Sequence, residues 1–116
     1  MATSNNGPRA YLANAAISAF RAVTISNNGG VGLAGTTDIP AGFALVDAAS
    51  GDYVSVRGFY DGQSQKGVIT AAPVTVGDVL YSGASGRLST TGTITVGKAL
   101  TTSASNDAVI EFIPLR

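Results

Sequence analysis

The chain has 116 residues and contains neither cysteine nor histidine. It is one domain's worth of protein held by packing, without disulfides, thiolate metal sites or the commonest general base. Its 7 basic and 7 acidic residues cancel and make up 12% of the chain, about half the usual share of roughly 25%. Nothing therefore draws it electrostatically to nucleic acid or an anionic membrane, and acid–base or nucleophilic catalysis is disfavoured.

Alanine, glycine, serine and threonine fill 56 positions, while valine, isoleucine and threonine fill 30, a composition that favours strands joined by tight turns. A surface so poor in charge is either a neutral hydroxyl-rich skin or one covered by partners.

Residues 1–16 read as an extended N-terminal arm. Thr3, Ser4, Asn5, Asn6, Gly7 and Pro8 favour no regular structure, and Arg9, Tyr11 and Leu12 give the arm a cation and two apolar groups that can lie on a neighbouring subunit. Residues 10–20 could form a short helix on propensity alone, but the β-branched run near Ala19 signals a strand by then. The apolar stretch 10–23 is interrupted by Asn14, Ser18 and Arg21 and preceded by one positive charge, Arg9, a poor match to a secretion signal. No apolar run approaches the roughly 18 residues of a membrane span.

Residues 17–116 read as a single β domain. Phe20, Ala22 and Thr24 alternate with Arg21, Val23 and Ile25 before Asn28-Gly29-Gly30, a hairpin signal. Further strands are expected over 43–46, 53–59, 67–72, 79–82, 87–90, 93–100 and 108–115, each bounded by Gly, Pro, Asn or Asp. Short strands at such regular spacing point to a sandwich or small barrel.

An internal repeat appears on sliding the chain by 55 positions. Segment 39–56 lies over 94–111 with eight identities in 18 positions, among them Gly42/Gly97, Ala44/Ala99, Leu45/Leu100 and Asp52/Asp107. The pattern is a strand, a turn closed by small polar residues, and a returning strand. Gly42 and Gly97 belong where a strand bends or another backbone approaches closely. Asp52 and Asp107 are expected to cap their turns, as is Asp78 in the echoing pair Gly77-Asp78. Two copies are too few for a solenoid, so pseudo-symmetry inside one closed barrel is the expected form.

Chemistry is thin. The carboxylates Asp38, Asp47, Asp52, Asp61, Asp78, Asp107 and Glu111 sit mostly beside glycine or in turns, where Asp serves the backbone. Only Lys66 or Lys98 could activate a hydroxyl, and neither stands in a Ser-x-x-Lys arrangement. No catalytic residue, cofactor site or metal site is assigned. Arg57, Phe59 and Tyr60 place a cation among aromatics, and Tyr53, Phe59, Tyr60 and Tyr81 are the stacking candidates of an alternative reading, a carbohydrate-binding module of a fibre or surface protein.

The run Gly77-Asp78-Val79-Leu80-Tyr81, then Gly92-Thr-Ile-Thr-Val-Gly-Lys-Ala-Leu100 and Ala108-Val-Ile-Glu-Phe-Ile-Pro-Leu115, resembles the small capsid decoration (cement) proteins of tailed bacteriophages. The resemblance spans roughly residues 20–115 and rests on the order of the motifs. It implies an all-β fold, a small β-barrel or β-tulip-like domain of short antiparallel strands. It also implies a homotrimer on the outer surface of the virion head that binds the major capsid protein and holds its subunits together, with no enzymatic activity, no nucleic acid and no membrane. Thr3, Pro8, Arg9, Tyr11 and Leu12 would then be the intersubunit or capsid-binding arm. Multivalent contact lets modest contacts per copy suffice.

Overall fold

The computed structural model describes residues 9–58, 64–70, 73–103 and 105–115. The described residues form ten strands: β1 (Arg9–Leu12), β2 (Ala22–Ile25), β3 (Val31–Leu33), β4 (Gly42–Ala44), β5 (Tyr53–Gly58), β6 (Gln65–Val68), β7 (Val79–Ser82), β8 (Leu88–Ser89), β9 (Thr95–Ala99) and β10 (Val109–Pro114), with a 3₁₀ turn at Ala84–Gly86. The longest, β5 and β10, alternate buried and exposed residues, the pattern of a strand with one face on a core. The molecule is all-β, as its composition implies.

Two five-stranded antiparallel sheets form, ordered β1-β5-β4-β2-β3 and β6-β10-β9-β7-β8. Replacing each strand of the first by the one five later gives the second. Among the described residues the duplication therefore extends well beyond 39–56 and 94–111, with one copy per sheet. A parallel bridge, Ala13 to Val31 in the first sheet and Ile69 to Leu88 in the second, curls each sheet back on itself. The antiparallel bridge Ile17–Ala48 recurs as Val74–Ser103. Positive φ recurs at matching sites, Phe20 with Gly77 and Gly29 with Gly86.

The N-terminal arm is corrected from Arg9 onward. Arg9, Ala10, Tyr11 and Leu12 pair with Val56, Ser55, Val54 and Tyr53, and Ala13 and Ile17 are buried, so this stretch is an edge of the first sheet and neither free arm nor helix. Thr3 and Pro8 lie outside the described residues.

Each sheet encloses a core, and the two cores are not alike. Val23, Val31, Val54 and Val56 pack with Ala13, Ile17 and Ala44 inside the first lobe. The second core, built on Ile69, Leu80, Leu88, Ile110 and Phe112, also takes in Ala22, Ala34 and Phe43 of the first lobe. Phe43 and Phe112 meet at the joint, ring centroids 5.0 Å apart and tilted by 60°, a favourable aromatic geometry. The Gly86 N–H donates to the Ala34 carbonyl at 2.7 Å, and the Ser82 hydroxyl donates to the Asp38 carbonyl at 2.8 Å.

Gly42 and Gly97 lie where partner strands close in: a side chain at Gly42 would meet the Arg57 carbonyl, and one at Gly97 the Ile113 carbonyl. Gly58, by contrast, has open space where a Cβ would stand. Gly97→Ala is expected to lower stability by about 2–3 kcal/mol, as overpacking does, while Gly58→Ala changes it by less than about 0.5 kcal/mol, as surface substitutions do. Urea denaturation of the two variants checks the contrast.

Candidate interaction site

A cavity of about 330 Å³ opens at the seam between the lobes. Phe20, Phe43, Leu45 and Arg57 line it from the first lobe, and Ser64, Gln65, Lys66 and Glu111 from the second. Lys66 and Glu111 face each other across the β6–β10 pairing. The Lys66 ammonium stands 5.7 Å from the centre of the Phe20 ring, within cation–π range. Gln65 is buried and its Nε2 donates to the Gly58 carbonyl at 2.7 Å, which ties the start of β6 to the end of β5.

Phe20 holds φ at +66°, a left-handed conformation that is an outlier for a bulky residue and costs roughly 1–3 kcal/mol. The equivalent residue of the second lobe is Gly77, at φ +94°. The local hydrogen bonds are the same in both. Phe20 N–H donates to the Ala44 carbonyl as Gly77 N–H does to that of Ala99, and Ala44 and Ala99 donate back to Arg21 and Asp78. One further match is side-chain to backbone: the Asp47 carboxylate accepts the Ala19 N–H and the Thr102 hydroxyl accepts the Val76 N–H. This frame forces the left-handed turn. Glycine meets it without strain and phenylalanine does not, so what the ring contributes is a wall of the cavity.

A second polar cluster crosses the seam nearby. Arg87 Nε pairs with Asp107 Oδ1 at 2.7 Å, and Arg21 donates to the Ser85 carbonyl at 2.9 Å. Burial holds the Arg21 guanidinium below its ordinary pKa, neighbouring Arg87 adds to the lowering, and Asp107 opposes it. Asp107 thus serves an ion pair, with φ +57°. Asp52 contributes its carbonyl, which accepts the Ala13 N–H. Asp78 accepts the Thr75 N–H at 2.9 Å through its carboxylate. No group of three or more His, Cys, Asp or Glu that could hold a metal exists among the described residues.

The stacking candidates are scattered. Tyr53 is 72% exposed beside β1, Tyr81 is half-buried on β7 of the other sheet, and Phe59 and Tyr60 lie outside the described residues. Arg9, Tyr11 and Leu12 share β1. The cavity lined by Phe20, Lys66 and Glu111 among others was not singled out by the sequence motifs.

The family model for phage cement proteins matches residues 7–114, both lobes together. Among solved structures, the chain resembles the N base of the head fiber protein gp8.5 of bacteriophage phi29, with a TM-score of 0.75 and 20% identity over 92% of each chain. No curated protein matches.

Asp107→Ala leaves Arg21 and Arg87 facing each other without a carboxylate, whereas Arg87→Ala removes one side of a partly exposed pair. The first is expected to cost roughly 1 kcal/mol more than the second, whose own effect stays below about 1 kcal/mol. Thermal unfolding at low and high salt measures both, and the gap narrows as salt screens it.

Proposed function

The chain belongs to the phage cement protein family, and on that basis we propose that it is a structural, non-enzymatic virion protein. It sits on the outer surface of a phage head and stabilises contacts between major capsid protein subunits. The observation that carries this reading is the family match over residues 7–114, which includes both lobes.

The surface supports it. The outward side chains of β10 are Val109, Glu111 and Ile113, with exposed Leu100 joined to the strand through its N–H on the Glu111 carbonyl. A free sheet face ordinarily alternates to polar residues, so the exposed apolar side chains Val109, Ile113 and Leu100 around Glu111 fit burial against a neighbour. Burying Val109, Ile113 and Leu100 between copies would assemble a homotrimer, and a trimer offers several attachment points at once. Residues 1–8, including Thr3 and Pro8, serve as the tether to the capsid or a neighbouring copy, with Arg9, Tyr11 and Leu12 anchoring its root in β1.

Three outcomes are expected. Light scattering of the purified protein gives a mass three times the 11.6 kDa of the chain, and Ile113→Lys lowers it to that of one chain. The protein co-sediments with isolated heads of the phage that encodes it and raises the temperature at which they disrupt. Deleting residues 1–8, which leaves β1 intact, weakens that co-sedimentation at least about tenfold, as loss of a linked contact does; unchanged binding would remove the arm from the mechanism. Failure of the intact protein to bind heads would overturn the reading as a whole.

A further inference from the structure

We propose that Asn28 is a deamidation site, held shut by a carboxamide clasp with Asn14, and that its conversion loosens the first lobe. The inference concerns a covalent change within the chain and does not depend on attachment to a head.

Asn28-Gly29 occupies the turn of the β2–β3 hairpin, with Gly29 at φ +83° and the Ser26 N–H on the Gly30 carbonyl at 2.7 Å, a place where Asn-Gly is favoured. A glycine after asparagine has no side chain to shield its nitrogen, which can therefore close a five-membered ring on the asparagine side chain. In that step the bond from Gly29 N to Asn28 Cγ forms, the Cγ–Nδ2 bond breaks, and Nδ2 leaves as ammonia with the Gly29 proton. Water then opens the succinimide at either carbonyl and returns a proton to the released nitrogen, leaving aspartate or isoaspartate. Water and hydroxide are the only co-reactants, and both reach Asn28 and Gly29, which are exposed.

The folded turn withholds each participant. The Gly29 N–H donates to the Ser26 carbonyl at 2.9 Å. Asn28 Oδ1 accepts the Gly30 N–H at 2.9 Å, which identifies that atom as the oxygen and leaves Nδ2 for Asn14. The two carboxamides then bond reciprocally, Asn28 Nδ2 to Asn14 Oδ1 at 3.2 Å and Asn14 Nδ2 to Asn28 Oδ1 at 3.3 Å. Asn14 is itself fixed, its N–H on the Val31 carbonyl and its own carbonyl accepting the Ser50 hydroxyl. Ring closure waits for the clasp to open.

The second lobe builds the equivalent corner without this chemistry. Thr70 N–H donates to the Leu88 carbonyl as Asn14 N–H does to that of Val31, and Ser85-Gly86 stands in for Asn28-Gly29. Serine has no amide to lose, so of the two corners only the first can convert. Isoaspartate adds one carbon to the main chain in a turn whose Val31 pairs with Ile25 and bridges to Ala13. Aspartate removes the donor that Asn14 Oδ1 accepts from. Either product loosens the corner at which the first sheet curls back on itself.

The test follows Asn28 by peptide mass spectrometry, reading the mass gained when an amide becomes a carboxyl group. The full-length protein stands at about pH 8 and 37 °C beside a synthetic peptide of residues 24–33. Asn28 is expected to convert at least about tenfold more slowly in the protein than in the peptide, because the turn's hydrogen bonds must open first. Asn14→Ala is expected to raise the protein's rate about fivefold, as loss of the two clasp bonds does. Gly97→Ala, which weakens the other lobe, is expected to leave the rate within about twofold of wild type. Converted protein, separated by its added negative charge, is expected to melt at least about 4 °C lower. The proposal is overturned if protein and peptide convert alike or if Asn14→Ala converts no faster than wild type. It is equally overturned if Gly97→Ala speeds conversion as much as Asn14→Ala does, which would trace the reaction to global unfolding, or if converted protein melts as unconverted protein does.

Discussion

Phe43 belongs to the first sheet by sequence and to the second lobe's core by burial, and the rest of the molecule depends on that crossing. With Ala22 and Ala34 it fills a space that Ile69, Leu80, Leu88 and Phe112 enclose but do not fill alone. Removing a buried phenylalanine costs about 3–5 kcal/mol, a large part of the stability of any domain of this size. The first lobe asks nothing comparable in return. The residue matching Phe43 in the repeat is Lys98, which is exposed. What the second lobe gives back is the turn around Ala84–Gly86, seated under the first lobe's β2 with the Gly86 N–H on the Ala34 carbonyl. The two copies of one unit are therefore joined one way, by a plug and a returning turn, and are not related as equals.

That asymmetry produces the site. A symmetric joint would have left no reason for the turn before β2 to differ from the turn before β7. Here the first of these turns lies at the seam and carries Phe20, while the second carries Gly77, with open space around it. Phe43 lines the same cavity as Phe20, so the interaction that fuses the lobes also shapes the pocket. Lys66 and Glu111 reach it because β6 and β10 of the second sheet are carried to the seam by that packing. On the outer side of β10, Glu111 lines the cavity while Val109 and Ile113 flank it, so one strand takes part in both the cavity and the surface assigned to neighbouring copies.

Much of the fold was legible in the sequence. The turn signal at Asn28-Gly29-Gly30 and β-branched runs locate β2, β5 and β7 to β10 closely, and β7 falls on its expected residues, whereas β3 received no range and β6 begins two residues before the expected 67. β1 was missed because Arg9-Ala-Tyr-Leu12 has no β-branched residue and its partner, β5, lies some forty residues away; pairing at that distance leaves no local trace. The repeat was visible only over 39–56 and 94–111, where side chains coincide. Elsewhere the duplication survives in the backbone alone, as with Phe20 and Gly77, and differing loops between β3 and β4 and between β8 and β9 shift the alignment from 55 to 57 positions. Allowing that slip would have set Phe20 against Gly77 and exposed the anomaly. The cavity could not be read, because its walls come from five separated stretches and its key property is a dihedral angle.

The most direct measurement of the account is whether the second lobe folds by itself. Residues 64–116 contain every strand of the second sheet but lack Ala22, Ala34 and Phe43. The account predicts collapsed amide dispersion and no cooperative melting for that fragment alone, with both restored when residues 1–63 are added. A fragment that shows native dispersion and melts cooperatively alone would contradict the claim that the first lobe completes its core.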